Sequence, residues 1–193
     1  MYVRDAKNRD EAWLLEHIEA MDLDETAFRS RDYVIAVDEA SNARAGFGRI
    51  RLHKTDDGEI CELTSIGVLD GWEGQGVGAH VIERLIDGAD AEGHERVYSL
   101  TGAHEYLAQF GFEGVPESEL PDALSERLSS KRDGIDPDAV PMAVDADAFR
   151  MPERLRERFK SAADPEPDPE PEETAEDFGI DPDEATYKYD TGG

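Results

Sequence analysis

The sequence predicts a mixed, twisted α/β (α+β) sheet with flanking helices, formed by a domain at residues 1–160. Segments with the period-two alternation of strands take turns with segments in which apolar residues recur every three or four positions, as in helices. Glycine, asparagine and aspartate mark the boundaries between these segments. A length of 193 residues fits one domain with an appendage.

The first part of the domain contains one helix among four strands. The helix is predicted at residues 8–21, where apolar residues have the spacing of a helix packed on one face, namely Trp13, Leu14, Ile18 and Met21. The strands are predicted at 2–6, 32–39, 44–54 and 59–69, with a hairpin at the Asp-Asp-Gly of residues 56–58.

The second part alternates helices and strands more regularly. Helices are predicted at 76–91, 103–110, 119–132 and 151–160. Strands are predicted at 95–101, 112–115 and 139–145.

The composition is strongly acidic, with 47 Asp and Glu against 20 Lys and Arg and a net charge of −27. A hydrophobic content of 38% with clear periodicity argues against a wholly disordered acidic chain. It favours a folded, halophilic domain in strong salt, where screening lengths of about 3 Å near 1 M remove the self-repulsion. Nucleic acid and anionic membranes are then not expected as partners, because no basic cluster neutralises phosphates.

Residues 161–193 form a second region. They hold 12 acidic residues and one basic residue, and proline alternates with acid over residues 164–172. Such a composition buries no core, so an acidic, Pro/Glu-rich disordered tail is predicted. No leader and no bilayer-length apolar run is recognised, which predicts a cytoplasmic protein. One cysteine excludes an internal disulfide, and the five histidines lack metal-ligand spacing, so no metal is expected.

The stretch GWEGQGVGAHVIERL, residues 71–85, places four glycines ahead of a helix. A strand, a glycine-rich turn and a helix bind anions through backbone N–H groups at the positive end of the helix dipole. A P-loop is excluded because Ala79 and His80 follow Gly78 where Lys-Ser/Thr is required. A dinucleotide-binding fingerprint is excluded because the next strand ends at Thr101 without the required acid.

The segment IGVLDGWEGQGVGAHVIERLI resembles the acetyl-CoA-binding segment of the GNAT acetyltransferase superfamily, whose signature is Arg/Gln-x-x-Gly-x-Gly/Ala. The match runs from Glu73 to Gly78, with Glu73 where the family prefers Arg or Gln. Residues 97–121 are similar to amino-acid acetyltransferases of the N-acetylglutamate synthase type. The resemblance implies a GNAT-like sheet of about six to seven strands, with a helical insertion at about 117–139.

The resemblance also implies acetyl-CoA as co-substrate, with no metal. In this family the fourth strand separates from the fifth and pantetheine lies in the gap. The implied pantetheine contacts are Ile66, Gly67 and Val68. The implied pyrophosphate contacts are Gly74, Gln75, Gly76, Val77, Gly78 and Ala79. At the adenosine end, His80 or Arg84 is the candidate basic group, a surface position on the helix being the alternative for both.

Glu62 is the candidate catalytic base. It lies six residues before Val68, where several family members keep a glutamate, and an amine must lose a proton before attacking a thioester. Strand alternation predicts that Glu62 shares one face with its even-numbered neighbours, which are Thr64, Ile66 and Val68. A carboxylate desolvated among apolar neighbours suits a base. A surface or ion-paired strand position is the alternative.

Tyr106 is the candidate acid for the departing thiolate. Many family members carry a tyrosine at the position occupied here by Leu107, and one step along a helix turns a side chain by about 100°. Packing in the core or the acceptor pocket is therefore the alternative role for Tyr106. Cys61 is predicted to face away from Glu62 as a buried residue and not to act as a nucleophile.

The expected activity is transfer of an acetyl group from acetyl-CoA to a primary amine, by direct attack in a ternary complex. The acceptor is a small amino acid such as glutamate, for whose carboxylates Arg29, Arg49 and Arg51 are the candidate clamps. A protein N-terminal or lysine amine is an alternative acceptor, and a non-catalytic acyl-CoA-binding regulatory module is an alternative class. Both a monomer and a homodimer are compatible with the sequence.

Overall fold

The computed structural model of the protein describes residues 1–162, so the predicted tail at 161–193 lies outside the described residues apart from its first two. The strands are β1 (Tyr2–Asp5), β2 (Tyr33–Val37), β3 (Arg44–Thr55), β4 (Gly58–Val68), β5 (Arg96–Thr101), β6 (Glu113–Gly114) and β7 (Val140–Asp145). The helices are α1 (Glu11–Ala20), α2 (Val77–Ala91), α3 (His104–Ala108), α4 (Asp122–Arg132) and α5 (Glu153–Lys160). Each predicted strand and helix is therefore present, with its ends shifted by a few residues.

The seven strands form one mixed sheet in the order β1-β2-β3-β4-β5-β7-β6, which confirms the predicted fold class. All neighbouring strands are antiparallel except β4 and β5. That parallel pair is short, because it runs only from Cys61 opposite Val97 to Leu63 opposite Ser99. Beyond Leu63 the two strands continue without pairing to each other, which opens the sheet near its centre.

The helices form a layer on each face of the sheet. One buried cluster joins α2, α3 and α5 to the sheet through residues such as Ile82, Leu107 and Phe159. Two smaller clusters hold α1 and α4 against the opposite face. Among the described residues, no helix combines the length and the apolar character that crossing a bilayer requires.

A β-bulge in β4 corrects one expectation from the sequence. The register with β3 shifts between Phe47 and Arg49, and Ser65 on β4 has a left-handed backbone with φ of 53°. The extra residue reverses the alternation of side chains along the strand. Ile66 and Val68 consequently pack on the α2 face, in the cluster that contains Cys61 and Leu63. The prediction that they share a face with Glu62 and Thr64 was wrong.

Candidate active site

A cavity of about 500 Å³ lies where β4 and β5 stop pairing. Its walls come from the ends of both strands, the first turn of α2, the start of α3, the loop after α1, and α4 with the loop that follows it. Residues from both faces of the sheet line it, including Gly78 of α2 and Lys131 of α4. The opening between the strands therefore connects the glycine-rich segment with the opposite face.

The glycine-rich segment adopts backbone conformations that favour glycine. Gly74 and Gly76 have φ values of 73° and 77°, and α2 begins immediately after Gly76 with no acidic residue in its first turn. The first backbone N–H groups of a helix lack partners within the helix and carry its positive dipole end. This geometry suits a diphosphate, and binding of a diphosphate at this position stays a prediction.

The predicted cofactor-binding residues fall into three groups. Ile66, Val68 and Gly78 line the cavity, whereas Gly67 lies against the α1 face, where a β-carbon would overlap Phe47 and Met21. The others, Gly74, Gln75, Gly76, Val77 and Ala79, lie in the loop and the first turn of α2 beside the cavity. Their contact with pyrophosphate stays a prediction.

Glu62 is fully buried in a cluster of basic side chains. Its Oε2 atom lies 2.7 Å from Nε2 of His53 and 3.1 Å from Nε of Arg127, and its Oε1 atom lies 3.6 Å from Nζ of Lys131. Glu62 does not line the cavity, but Lys131 does. The ion-paired position considered from the sequence is thus the observed one, and the role of Glu62 as a base stays a prediction.

Lys131 lies at the point where the two strands part. Its Nζ atom donates hydrogen bonds to the carbonyl oxygen of Leu100 (2.8 Å) and to Oγ1 of Thr64 (3.2 Å), the first residues beyond the last strand pair. Its side chain is only 8% exposed. Burial lowers the pKa of Lys131, although the nearby charge of Glu62 acts in the opposite direction.

A bridge between the loop after α1 and helix α4 covers this face of β4. Arg127 of α4 donates to the carboxylate of Asp24, whose backbone carbonyl accepts a 2.7 Å hydrogen bond from Ser65. Arg49 is fully buried, donates to the carbonyl oxygen of Thr26 (2.8 Å), and lies 3.5 Å from Asp24. The loop is therefore tied to both β3 and α4.

The arginines expected to clamp an acceptor carboxylate are placed elsewhere. Arg49 forms buried contacts with the loop after α1, and Arg29 pairs with Asp32 at the surface. Neither of these, nor Arg51, lines the cavity.

Tyr106 lies at the cavity, whereas Cys61 is buried in the core. Tyr106 lines the cavity, and a β-carbon on Gly78 would lie 3.2 Å from its hydroxyl. Burial raises the pKa of Tyr106, and the charge of Arg154 opposes that effect. Burial also raises the pKa of Cys61 to about 12, so its thiol stays protonated. Within the described residues, no cluster of metal-ligating side chains is found.

The basic groups proposed for the adenosine end already have protein partners. His80 contacts the carbonyl oxygen of Gly76 through Nδ1 at 3.0 Å and stacks on Phe159. Arg84 donates to Asp5 at 2.7 Å. Both side chains therefore hold α2 to neighbouring elements.

Two residues near the cavity were missed by the sequence reasoning. Arg127 and Lys131 lie four residues apart, so they share one side of α4, next to the buried Leu124 and Leu128. The available signal was this pair of cations beside the apolar stripe of a short helix. That signal does not distinguish a site from a solvated face.

Known proteins are similar to this chain both in sequence pattern and in fold. The model of the acetyltransferase (GNAT) family matches residues 2–112. The fold is similar to that of N-acetylglutamate synthase from Neisseria gonorrhoeae in complex with coenzyme A and N-acetyl-glutamate, with a TM-score of 0.62 and 19% identity over 75% of this chain and 34% of that chain. This chain thus corresponds to about a third of that enzyme.

Two further structures have the same fold over nearly their whole length. Rv2747 from Mycobacterium tuberculosis, in complex with CoA and NLQ, has a TM-score of 0.63 and 17% identity, over 75% of this chain and 99% of that chain. Arabidopsis thaliana Naa50, in complex with the bisubstrate analogue CoA-Ac-MVNAL, has a TM-score of 0.53 and 14% identity, over 74% and 96%. Because the family model matches more than half of the chain, the protein belongs to the acetyltransferase (GNAT) family, acyltransferases that use acetyl-CoA as co-substrate.

Proposed function

We propose that the protein transfers an acetyl group from acetyl-CoA to the primary amine of a small acceptor, an amino acid such as glutamate, by direct attack in a ternary complex. The observation that carries this proposal is that one cavity is lined both by Gly78 at the start of α2 and by Lys131 of α4. A donor held at α2 and an amine arriving from the α4 side meet in the gap between β4 and β5.

The covered face of β4 favours a small acceptor over a polypeptide. A protein amine needs an open groove along which its flanking residues lie, but the contacts of Asp24 with Arg127 and Ser65 cross this face. A cavity of about 500 Å³ is in the range of small-molecule sites. The likeness to the N-acetylglutamate synthase bound to N-acetyl-glutamate supports an amino acid as the acceptor.

In the reaction, the acceptor nitrogen attacks the thioester carbonyl carbon, the new C–N bond forms, and the C–S bond breaks to release CoA. The amine must first lose a proton, and Lys131 lies between Glu62 and the cavity. Because Glu62 does not reach the cavity, we propose that it acts through Lys131: Lys131 in its neutral form accepts that proton, and Glu62, 3.6 Å away, stabilises the resulting ammonium. The lowered pKa of Lys131 favours the neutral form.

Tyr106 is the proposed proton donor to the CoA thiolate. It lines the cavity beside Gly78, and its raised pKa keeps the hydroxyl protonated. Cys61 takes no part, because its buried thiol lies on the α2 face and stays protonated.

The net charge of −27 supports a cytoplasm of high salt as the setting of this activity, without nucleic acid or an anionic membrane as partner. The test should therefore be made in molar KCl. Thiol release from acetyl-CoA is measured with free amino acids, polyamines and short peptides. Turnover with an amino acid supports the proposal, and turnover with peptides alone assigns a protein acceptor. CoA binding without thiol release from any acceptor favours a non-catalytic module.

A further inference from the structure

Helix α5 lies against the glycine-rich segment although it is outside the residues that match the family. A β-carbon on Gly76 would overlap the backbone carbonyl oxygen of Leu155. The ring of Phe159 stacks on His80 of α2 at a centroid distance of 3.8 Å. Because Leu155 and Phe159 are both buried, their packing fixes the position of α5 relative to the start of α2.

Two arginines of α5 contact the glycine-rich segment and the end of α3. Arg158 donates from Nη1 to the carbonyl oxygen of Gly74 at 3.1 Å. Arg154 donates to the side-chain oxygen of Gln109 at the end of α3, and its charge acts on Tyr106 at the cavity. They lie four residues apart, on one side of the helix.

The charges of these arginines are not neutralised by the protein. Their hydrogen-bond partners are a backbone carbonyl and a side-chain amide, and across residues 1–162 neither forms an ion pair with a carboxylate. Arg156 of the same helix, by contrast, pairs with Glu83 at 2.6 Å. In a chain of net charge −27, these two exposed guanidinium groups lie beside the proposed phosphate-binding loop and can bind an anion there.

The loop itself offers no basic side chain. Glu73 occupies the position where the family signature has Arg or Gln, so its charge opposes a phosphate there. We propose that Arg154 and Arg158 bind phosphate groups of acetyl-CoA and supply the positive charge that the loop lacks. The inference rests on the proposed function, because it requires acetyl-CoA to bind at α2.

Binding of CoA and of 3′-dephospho-CoA, measured by titration calorimetry at one KCl concentration, tests the proposal. Arg154→Gln and Arg158→Gln should each weaken CoA binding roughly tenfold, as expected for loss of a charge-assisted hydrogen bond. Arg156→Gln on the same helix is the matched control and should bind CoA like the wild type. Thermal unfolding checks that each variant is folded.

Because CoA and 3′-dephospho-CoA differ only in the 3′-phosphate, comparing them shows which phosphate the arginines bind. A loss of affinity for CoA alone assigns the arginines to the 3′-phosphate, and an equal loss for both ligands assigns them to the pyrophosphate. Both results support the proposal. It is overturned if the folded Arg154→Gln and Arg158→Gln variants bind CoA like Arg156→Gln. Wild-type protein that binds neither ligand contradicts the proposed function itself.

Discussion

Lys131 of α4 donates a 2.8 Å hydrogen bond to the carbonyl oxygen of Leu100, directly after the last residue of β5 that pairs with β4. The contact places a buried amine in the gap between the strands, 3.6 Å from the carboxylate of Glu62. This amine comes from α4, which follows residues 2–112, the part of the chain that matches the family model.

Replacing Glu62 by Gln should abolish most turnover while leaving CoA affinity unchanged. The proposed proton acceptor loses its stabilising charge, and general-base contributions are about 10²–10⁴-fold in rate. Lys131 also loses its nearby carboxylate and Arg127 loses one of its two, since Asp24 remains, which should lower the free energy of unfolding by about 3 kcal/mol. Steady-state kinetics, calorimetric CoA binding and urea unfolding measure the three quantities.

Glu59→Gln is the control for this variant. Glu59 lies on the same strand, but its side chain is 41% exposed. It should retain both turnover and stability. Full turnover of Glu62→Gln at every pH would remove Glu62 from the mechanism.

The pH dependence of kcat/KM should identify Lys131. Burial lowers the pKa of Lys131 from its ordinary value of 10.5, so its neutral form increases as the pH rises through that lowered value. Activity should rise over the same interval. In Lys131→Met only the titration of the acceptor amine should remain, while Lys54→Met, at an exposed position of β3, should keep the wild-type profile. Superimposable profiles for all three proteins would exclude Lys131 from proton transfer.

Gly76→Ala should destabilise the protein more than Gly74→Ala. Both residues have positive φ, so alanine at either position costs about 1–2 kcal/mol of backbone strain. Only at Gly76 does the new methyl group also meet backbone, the carbonyl oxygen of Leu155, while nothing lies near it at Gly74. Chemical denaturation of the two variants gives the comparison, and equal losses would contradict the packing of α5 on the loop.

Asp10 should stabilise the fold at neutral pH and progressively less in acid. Its carboxylate accepts hydrogen bonds from Arg4 (2.8 Å) and the backbone N–H of Lys7 (2.8 Å) and lies 3.0 Å from Arg44. The hydrogen bonds from Arg4, above all, hold the pKa of Asp10 well below its usual range. Because the folded-state pKa is the lower one, the stabilisation is present above the unfolded-state pKa and is lost as the pH falls toward the folded-state value.

Asp10→Asn should therefore cost roughly 2–3 kcal/mol of unfolding free energy at pH 7, and less below about pH 4. Asp57→Asn, in the exposed turn between β3 and β4, is the control and should show no such trend. Urea unfolding over a pH series measures both. A difference between wild type and Asp10→Asn that does not shrink in acid would refute the ion-pair explanation.

Molar KCl should raise the unfolding temperature of the protein. The net charge of −27 is self-repulsive, and the screening length falls from about 10 Å at 0.1 M salt to about 3 Å at 1 M. Differential scanning calorimetry across a KCl series measures the effect. Sucrose serves as the uncharged control, because it stabilises by exclusion from the surface and does not screen charge. A constant or falling midpoint in KCl would argue against adaptation to salt.

Local features of the sequence were sufficient to predict the order of elements and the glycine-rich turn before α2. The apolar period of β4, the glycines at 74 and 76 and the apolar stripe of α2 lie within a few residues of one another, and local backbone preference determines what they form. The same residues carry the resemblance to the family, which the family model confirms.

Only the tertiary structure decided which side chains meet at the gap. The bulge at Ser65, which separates the face of Glu62 from that of Ile66, depends on the register with β3. Lys131 reaches Thr64 across 67 positions of sequence, and Arg158 reaches Gly74 across 84. Such contacts follow from how helices pack on a sheet, and the packing free energy is summed over many distant residues. No short segment of the chain therefore encodes them.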